Sequence, residues 1–179
     1  ANQIDYLQYL QGISWKGRLF RKYFLYPKLN KLCDGAILDI GCGTGQFLDF
    51  LNSPRSRGVD VNEHCVNFCL SKNLQVSLMN PDELPFHDNI FDTIVLDNVL
   101  EHIADPYKLV SECSRVLVEG GRLIIGVPGT KGFLRDIDHK KFYELGDIYN
   151  LGIQTGFFPK SYFHSPFGRF IKNLNSFCI

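Results

Sequence analysis

From residue 36 onward, short apolar runs alternate with stretches whose apolar residues recur at helical spacing. "AILDI" (36–40), "SRGVD" (56–60), "LQVSLM" (74–79), "FDTIVLD" (91–97) and "GGRLIIGVP" (120–128) have the length and apolar character of strands. "GQFLDFLN" (45–52), "NEHCVNFCLSKN" (62–73) and a segment from about Tyr107 to Leu117 have helical spacing, with Asn62 as a cap. The apolar run in "GGRLIIGVP" fits a strand covered on both faces. The alternation predicts an α/β domain: a Rossmann-like, doubly wound, mostly parallel sheet between two helical layers.

The flanks read differently. Residues 6–32, "YLQYLQGISWKGRLFRKYFLYPKLNKL", are rich in aromatic and basic residues and predict one or two helices, with Pro27 limiting the second. "GFFPKSYFHSPFG" (156–168) reads as a sixth strand with its turn, and the closing "NSFCI" as the start of a seventh. The absence of any repeat, low-complexity run or linker makes this one domain, with 1–32 as a helical lid ahead of a ligand-binding body at 33–179.

Composition narrows the function classes. The 179 residues hold 19 basic and 19 acidic side chains, so no basic excess points to nucleic acid. The local excess lies in residues 1–35, where Lys16, Arg18, Arg21, Lys22, Lys28 and Lys31 face only Asp5 and Asp34. Such a run is a solvated helix face or an attraction for an anionic substrate or lipid surface. Six cysteines show no CxxC pair and no Cys/His zinc spacing, so no metal site is expected. Free thiols without a signal peptide predict a reducing cytoplasm, and no stretch is long and apolar enough to span a bilayer.

Every unusual loop follows a strand: "GCGTG", "DVNEH", "MNPDELPF", "DNVLEH" and "PGTKG". In parallel sheets the ligand sits beyond those carboxyl ends. Gly41, Gly43 and Gly45 form GxGxG, with Asp39 two residues ahead. Glycine there lets backbone approach a ligand, while the acid would repel a pyrophosphate and favour an ammonium or sulfonium. Asp60, at the end of the second strand, is placed to accept two ribose hydroxyls, or else to cap the next helix. A nucleoside with a cationic, phosphate-free tail describes S-adenosylmethionine.

"ILDIGCGTGQFL", "GVDVN", "LPFHDNIFDTIVLDNVLEHIADP" and "LVSECSRVLVEGGRLIIGVP" together resemble the class I S-adenosylmethionine-dependent methyltransferases, in the group that includes the ubiquinone-type O-methyltransferases. The resemblance covers residues 33–165 and implies a seven-stranded sheet. It implies that Asp39, Gly41, Cys42, Gly43 and Gly45 cradle the methionine part of the cofactor, that Asp60 holds the ribose and that Val61 packs on the adenine. Asn80 and Pro81 stand where relatives carry an acidic and a small residue at the adenine edge. Pro81 has no N–H, so that bond comes from Asp82 or is missing. Asp97 matches a position whose backbone contacts the cofactor's amino group.

Methyl transfer from a sulfonium needs donor and acceptor in line, and a hydroxyl acceptor also needs a base. His64 and His87 are poorly placed. His102 in "LEHI" is a candidate base, or a residue that orients its loop. His139 in "DIDHKKFY" is a base or substrate contact, or a helix-terminal histidine bonded to Asp136 or Asp138. Glu101 reads as a partner of His102 or a surface acid. Tyr6, Tyr9, Trp15, Phe20, Tyr23, Phe24 and Tyr26 form a lid over an acceptor, or pack in the core. "DNVL" in place of an NPPY-type motif argues against methylation of base or glutamine amino groups. The expected enzyme is a monomeric or homodimeric cytoplasmic O-methyltransferase of a small-molecule, sugar- or lipid-linked acceptor, with S-adenosylhomocysteine as by-product. A catalytically inactive cofactor-binding regulator is the alternative, and a nicotinamide-dependent oxidoreductase is disfavoured by Asp39 and the missing GxGxxG.

Overall fold

A computed structural model describes residues 12, 15–134 and 136–163. It opens with helix α1 (Trp15–Phe20), which passes through a π-helical turn (Arg21–Leu25) into α2 (Tyr26–Leu32). Pro27 does not limit this helix. It sits in the first turn of α2, where a missing N–H costs little, and the wider turn ahead of it closes with the Tyr26 N–H donating to the Arg21 carbonyl.

The alternating core follows: β1 (Ile37–Ile40), α3 (Gln46–Leu51), β2 (Ser56–Asp60), α4 (Glu63–Ser71), β3 (Val76–Leu78), β4 (Phe91–Asp97), a 3-10 turn (Leu100–His102), α5 (Tyr107–Val116) and β5 (Leu117–Gly126). Asn62 caps α4, its side chain accepting from the His64 and Cys65 N–H groups. Short α6 (Thr130–Phe133) and α7 (Leu145–Gln154) complete the described part.

All five strands are parallel, in the order β3-β2-β1-β4-β5. β5 begins earlier than its apolar run suggests. Leu117 pairs with Phe91 and Arg122 with Thr93, so the residues between bulge outward around Gly120, which has φ +74°. Of the sixth strand expected over 156–168, residues 157–163 are irregular, and 164–168, like "NSFCI", lie outside the described residues.

Period-two geometry sorts the sheet's side chains. Leu38, Ile40, Ile94, Leu96, Leu123 and Ile125 pack on one face against Leu109, Val110 and Cys113 of α5 and Ile148 and Leu151 of α7. Ile37, Val95 and Ile124 pack on the other against Phe20, Leu25, Tyr26 and Leu29 of the leading helix and Phe47 of α3. Each fully buried aliphatic side chain contributes about 1.5–3 kcal/mol. Of the expected lid aromatics, Phe20 and Tyr26 are core residues, Trp15, Tyr23 and Phe24 are exposed, and Tyr6 and Tyr9 lie outside the described residues. Asp39 and Asp97 continue the parity of Ile37 and Val95. Both therefore point toward the leading helix at the carboxyl end of the sheet.

A polar clamp fixes the loop between β3 and β4. Arg115 holds Glu112 by two hydrogen bonds of 2.7 and 2.6 Å and donates to the Phe86 and Leu84 carbonyls, while Glu112 accepts the Leu84 N–H. These bonds, chiefly from Arg115, hold the Glu112 carboxyl below its ordinary range. Its stabilisation is present above the unfolded value of 4.5 and is lost as pH falls through the lower folded value. Glu112→Gln is expected to lower stability by about 1–2 kcal/mol at neutral pH. Urea unfolding from pH 7 to 3 should show that deficit shrink as the native carboxylate protonates. A deficit independent of pH would exclude the ion pair as its cause.

Candidate active site

The strand order reverses at β1/β4, with β2 and β3 on one side and β5 on the other. The crevice beyond the carboxyl ends at such a reversal is where doubly wound sheets place ligands. Asp39 on β1, Asp60 at the end of β2 and Asp97 at the end of β4 bring three carboxyl groups to this end. Asp39 and Asp60 are buried.

The glycine loop leaves β1 with Gly41, Gly43 and Gly45 at φ +69°, +52° and +71°, a region that side chains with a Cβ rarely occupy. At two of these positions packing adds a reason of its own. A Cβ on Gly41 would meet Val99, and one on Gly45 would meet Cys69 and Leu74. The expected reason, close approach of a ligand, is thus not the only one at those positions. Cys42 is a core residue, and the Cys69 thiol donates to the Gly43 carbonyl at 3.3 Å. Asp60 braces the loop: Oδ2 accepts the Gly43 N–H at 2.8 Å and Oδ1 the Asn62 N–H at 2.9 Å.

Electrostatics here are short of positive charge. Burial, then the neighbouring Asp97 and Asp60 carboxylates, push the Asp39 carboxyl well above its usual range, and Arg21 opposes them. Burial raises Asp60 and Asp97 as well, opposed by backbone N–H groups at the first and by Arg21 and Asn98 at the second. Arg21 reaches in from the π-helical turn, its Nη1 3.1 Å from Asp97 Oδ2. Sequence reasoning did not single out Arg21. It was one cation among six in a basic stretch, and only its position beside buried Phe20 and Leu25 hinted at an inward side chain. Opposite Arg21, Gly126 makes room for Asp97, since a Cβ there would collide with its carboxylate.

The remaining candidates separate into two groups. Val61 is half-exposed on the rim after Asp60, and Asn80, Pro81 and Asp82 form an exposed turn closed by an Asn80–Glu83 bridge. The Asp82 carboxylate pairs with Lys108 at 3.4 Å. His102 and His139 come together beyond β4, ring centroids 4.7 Å apart, although the sequence separates them widely. Glu101 is not a surface acid. It is fully buried, with His139 Nε2 3.8 Å from its Oε1. Burial, with Asp97 and Asp136 adding to it, pushes the Glu101 carboxyl up to about 8. Burial and the His139 ring lower His102. His139 lies in the loop before α7, not at a helix terminus, and its Nδ1 is 2.8 Å from the Phe133 carbonyl.

A cavity of about 550 Å³ opens between the leading helix and the glycine loop, lined in part by Arg18, Lys22, Tyr26, Thr44, Phe68 and Lys72. None of the candidate cofactor or catalytic residues lines it.

Comparison with known proteins decides what kind of site this is. A methyltransferase-domain family model matches residues 38–125. A probable S-adenosylmethionine-dependent methyltransferase of Mycolicibacterium smegmatis is 32% identical over 125 residues, covering 66% of this chain and 49% of that protein. This chain belongs to the class I S-adenosylmethionine-dependent methyltransferases. The cofactor of that family is S-adenosylmethionine, and the acid-rich, phosphate-repelling glycine loop fits it. A probable tRNA methyltransferase 9B of Bos taurus is 35% identical over 125 residues, covering 68% of this chain and 26% of that protein. The fold matches that of an S-adenosylmethionine-dependent methyltransferase from Aquifex aeolicus with a TM-score of 0.72 at 19% identity, over 99% of this chain and 97% of that one. The chain spans about half the length, or less, of the first curated relatives it matches.

The buried acids make a stability prediction. Asp39 has a folded pKa above its ordinary 3.8, so the native state holds the extra proton and stability falls as pH rises from that value through the folded one. Asp39→Asn removes this cost. Its thermal midpoint should exceed the native one by a few degrees at pH 7, about 2–4 °C per kcal/mol, and the gain should vanish below pH 3.8. Equal midpoints at pH 7 would mean that the carboxylate is already compensated.

Proposed function

We propose that this chain transfers the methyl group of S-adenosylmethionine to an oxygen of a small-molecule, sugar- or lipid-linked acceptor. The observation that carries the reading is the gathering of Asp39, Asp60 and Asp97 at the strand-order reversal, with Arg21 the cation set against Asp39 and Asp97. A sulfonium and an ammonium supply the positive charge such a place lacks. In this reading Asp39, Gly41, Cys42, Gly43 and Gly45 surround the methionine tail, and Asp97 faces its amino group. Asp60 accepts the ribose hydroxyls, since each of its oxygens keeps a lone pair beyond the N–H it already accepts. Val61 offers an apolar face to the adenine, with Asn80, Pro81 and Asp82 at its edge.

His102 and His139 lie beyond β4, on the acceptor side. The acceptor oxygen's lone pair forms the new C–O bond as the C–S bond breaks with its electron pair left on sulfur. The hydroxyl proton passes to His139 Nε2. That nitrogen carries the lone pair because Nδ1 donates to the Phe133 carbonyl. Alignment and exclusion of water supply most of the acceleration, and proton removal about 10²–10⁴-fold.

A second reading, an RNA-borne acceptor, is favoured by Arg18, Lys22 and Lys72 around the cavity beside the glycine loop and by the relative named for tRNA. Assays with a panel of hydroxyl acceptors and with bulk tRNA separate the two.

Calorimetric titration with S-adenosylmethionine should give micromolar-range binding that weakens at least tenfold in Asp60→Ala, or 1.4 kcal/mol. His139→Ala should keep cofactor affinity within threefold and lower the turnover number by two orders of magnitude or more. Cofactor binding without turnover of any acceptor would leave the non-catalytic, regulatory reading. No binding by the native chain would overturn the cofactor assignment.

A further inference from the structure

The acceptor side of the site holds a set of lone pairs that proton transfer alone does not explain. Glu101 is fully buried, and neither carboxylate oxygen has a hydrogen-bond partner among the described residues. A buried carboxyl group without partners is costly, and native structures satisfy such groups with a donor, a water or a cation. His139 Nε2 lies 3.8 Å from Glu101 Oε1 and 4.0 Å from Asp136 Oδ2, beyond hydrogen-bond reach of either. His139 Nδ1–H donates to the Phe133 carbonyl at 2.8 Å, which leaves the lone pair on Nε2. An imidazole held by a carbonyl at one nitrogen and open at the other is arranged as metal-bound histidines are.

His102 completes the group. One donor atom from each of Glu101, His102 and His139 lies within 4.8 Å of the other two. Ligand atoms bound at about 2.1 Å sit about 3.4 Å apart around a tetrahedral ion and about 3.0–4.2 Å apart around an octahedral one. The widest pair therefore has to close by at most about 1.4 Å around a tetrahedral ion. The backbone already draws the two segments together, with the Lys140 and Lys141 N–H groups donating to the Glu101 carbonyl at 2.7 and 3.2 Å.

We infer that Glu101, His102 and His139 form a binding site for a divalent transition-metal ion of the zinc type. Two imidazoles and a carboxylate select such an ion over magnesium or calcium, which take oxygen ligands. Three protein ligands leave a position open, and an acceptor oxygen is the group to fill it. An ion held there would take the His139 Nε2 lone pair and would itself acidify the acceptor hydroxyl, in place of the base role given to His139 in the metal-free reading. The sequence could not show this, because its donors come from loops after two different strands and match no metal-binding spacing. The inference rests on reading this cluster as the acceptor end of the site. It does not depend on which acceptor is used.

The test is titration of chelator-treated protein with zinc chloride by calorimetry and with cobalt chloride by visible absorbance. Both run in parallel with S-adenosylhomocysteine binding. The native chain should take up one ion with a dissociation constant at or below the micromolar range and give cobalt bands of four- or five-coordinate geometry. His102→Ala and His139→Ala should each weaken zinc at least tenfold while S-adenosylhomocysteine affinity stays within threefold. Glu101 is buried, so Glu101→Gln and His139→Gln serve as volume-preserving variants whose circular dichroism must match the native chain. No saturable uptake by the native chain, or uptake undiminished in both histidine variants, overturns the metal site and leaves the cofactor reading standing. Metal uptake as described, with no S-adenosylhomocysteine binding, supports the metal site and removes the cofactor reading instead.

Discussion

The ion pair between Arg21 and Asp97 ties the leading helix to the reactive end of the sheet. Asp97 ends β4, and Arg21 starts the π-helical turn, so the 3.1 Å contact joins segments far apart in sequence. Arg21 opposes the upward shift of both Asp39 and Asp97, and backbone N–H groups do so at Asp60. The pair also sets where the helix packs, since Phe20 and Leu25 on either side of Arg21 enter the core against Ile37, Val95 and Ile124. Packing and electrostatics thus constrain the same turn of helix.

The site shows a trade between stability and ligand recognition. Gathering three acids, two of them buried, around one guanidinium opposes folding, and the apolar layers on both faces of the sheet offset it. In the proposed reading a cationic cofactor recovers part of that cost, because its charge arrives beside these acids. Asp60 shows how one residue serves both ends. It braces the glycine loop through the Gly43 N–H and, in the proposed reading, still has lone pairs for a ribose. The strand order reverses between Asp60, after β2, and the Glu101 cluster, after β4, so the proposed cofactor and acceptor ends lie on opposite sides of that point.

Strand and helix order could be read along the chain because both are local. "SRGVD" and "FDTIVLD" became β2 and β4 with unchanged ends, and Asn62 caps α4 as its residue type suggests. Where local signals misled, longer-range geometry prevailed. Pro27 was accommodated by a π turn, β5 started early through a bulge at Gly120, and residues 157–163 did not join the sheet. Gly41 and Gly45 carry a packing demand from Val99 and Cys69 that no one-dimensional pattern reveals.

The amino-acid sequence alone determined the strand–helix alternation, the acid ahead of the glycine loop and the family. These depend on periodicity and on residue types a few positions apart. Only the tertiary structure selected Arg21 from six similar cations, buried Glu101 and set His139 beside His102. Those choices depend on which side chains meet after β1 and β4 pair and the loops fold over their carboxyl ends. Proximity between residues so distant in the chain arises from sheet register and crossover connections, and no local spacing encodes it.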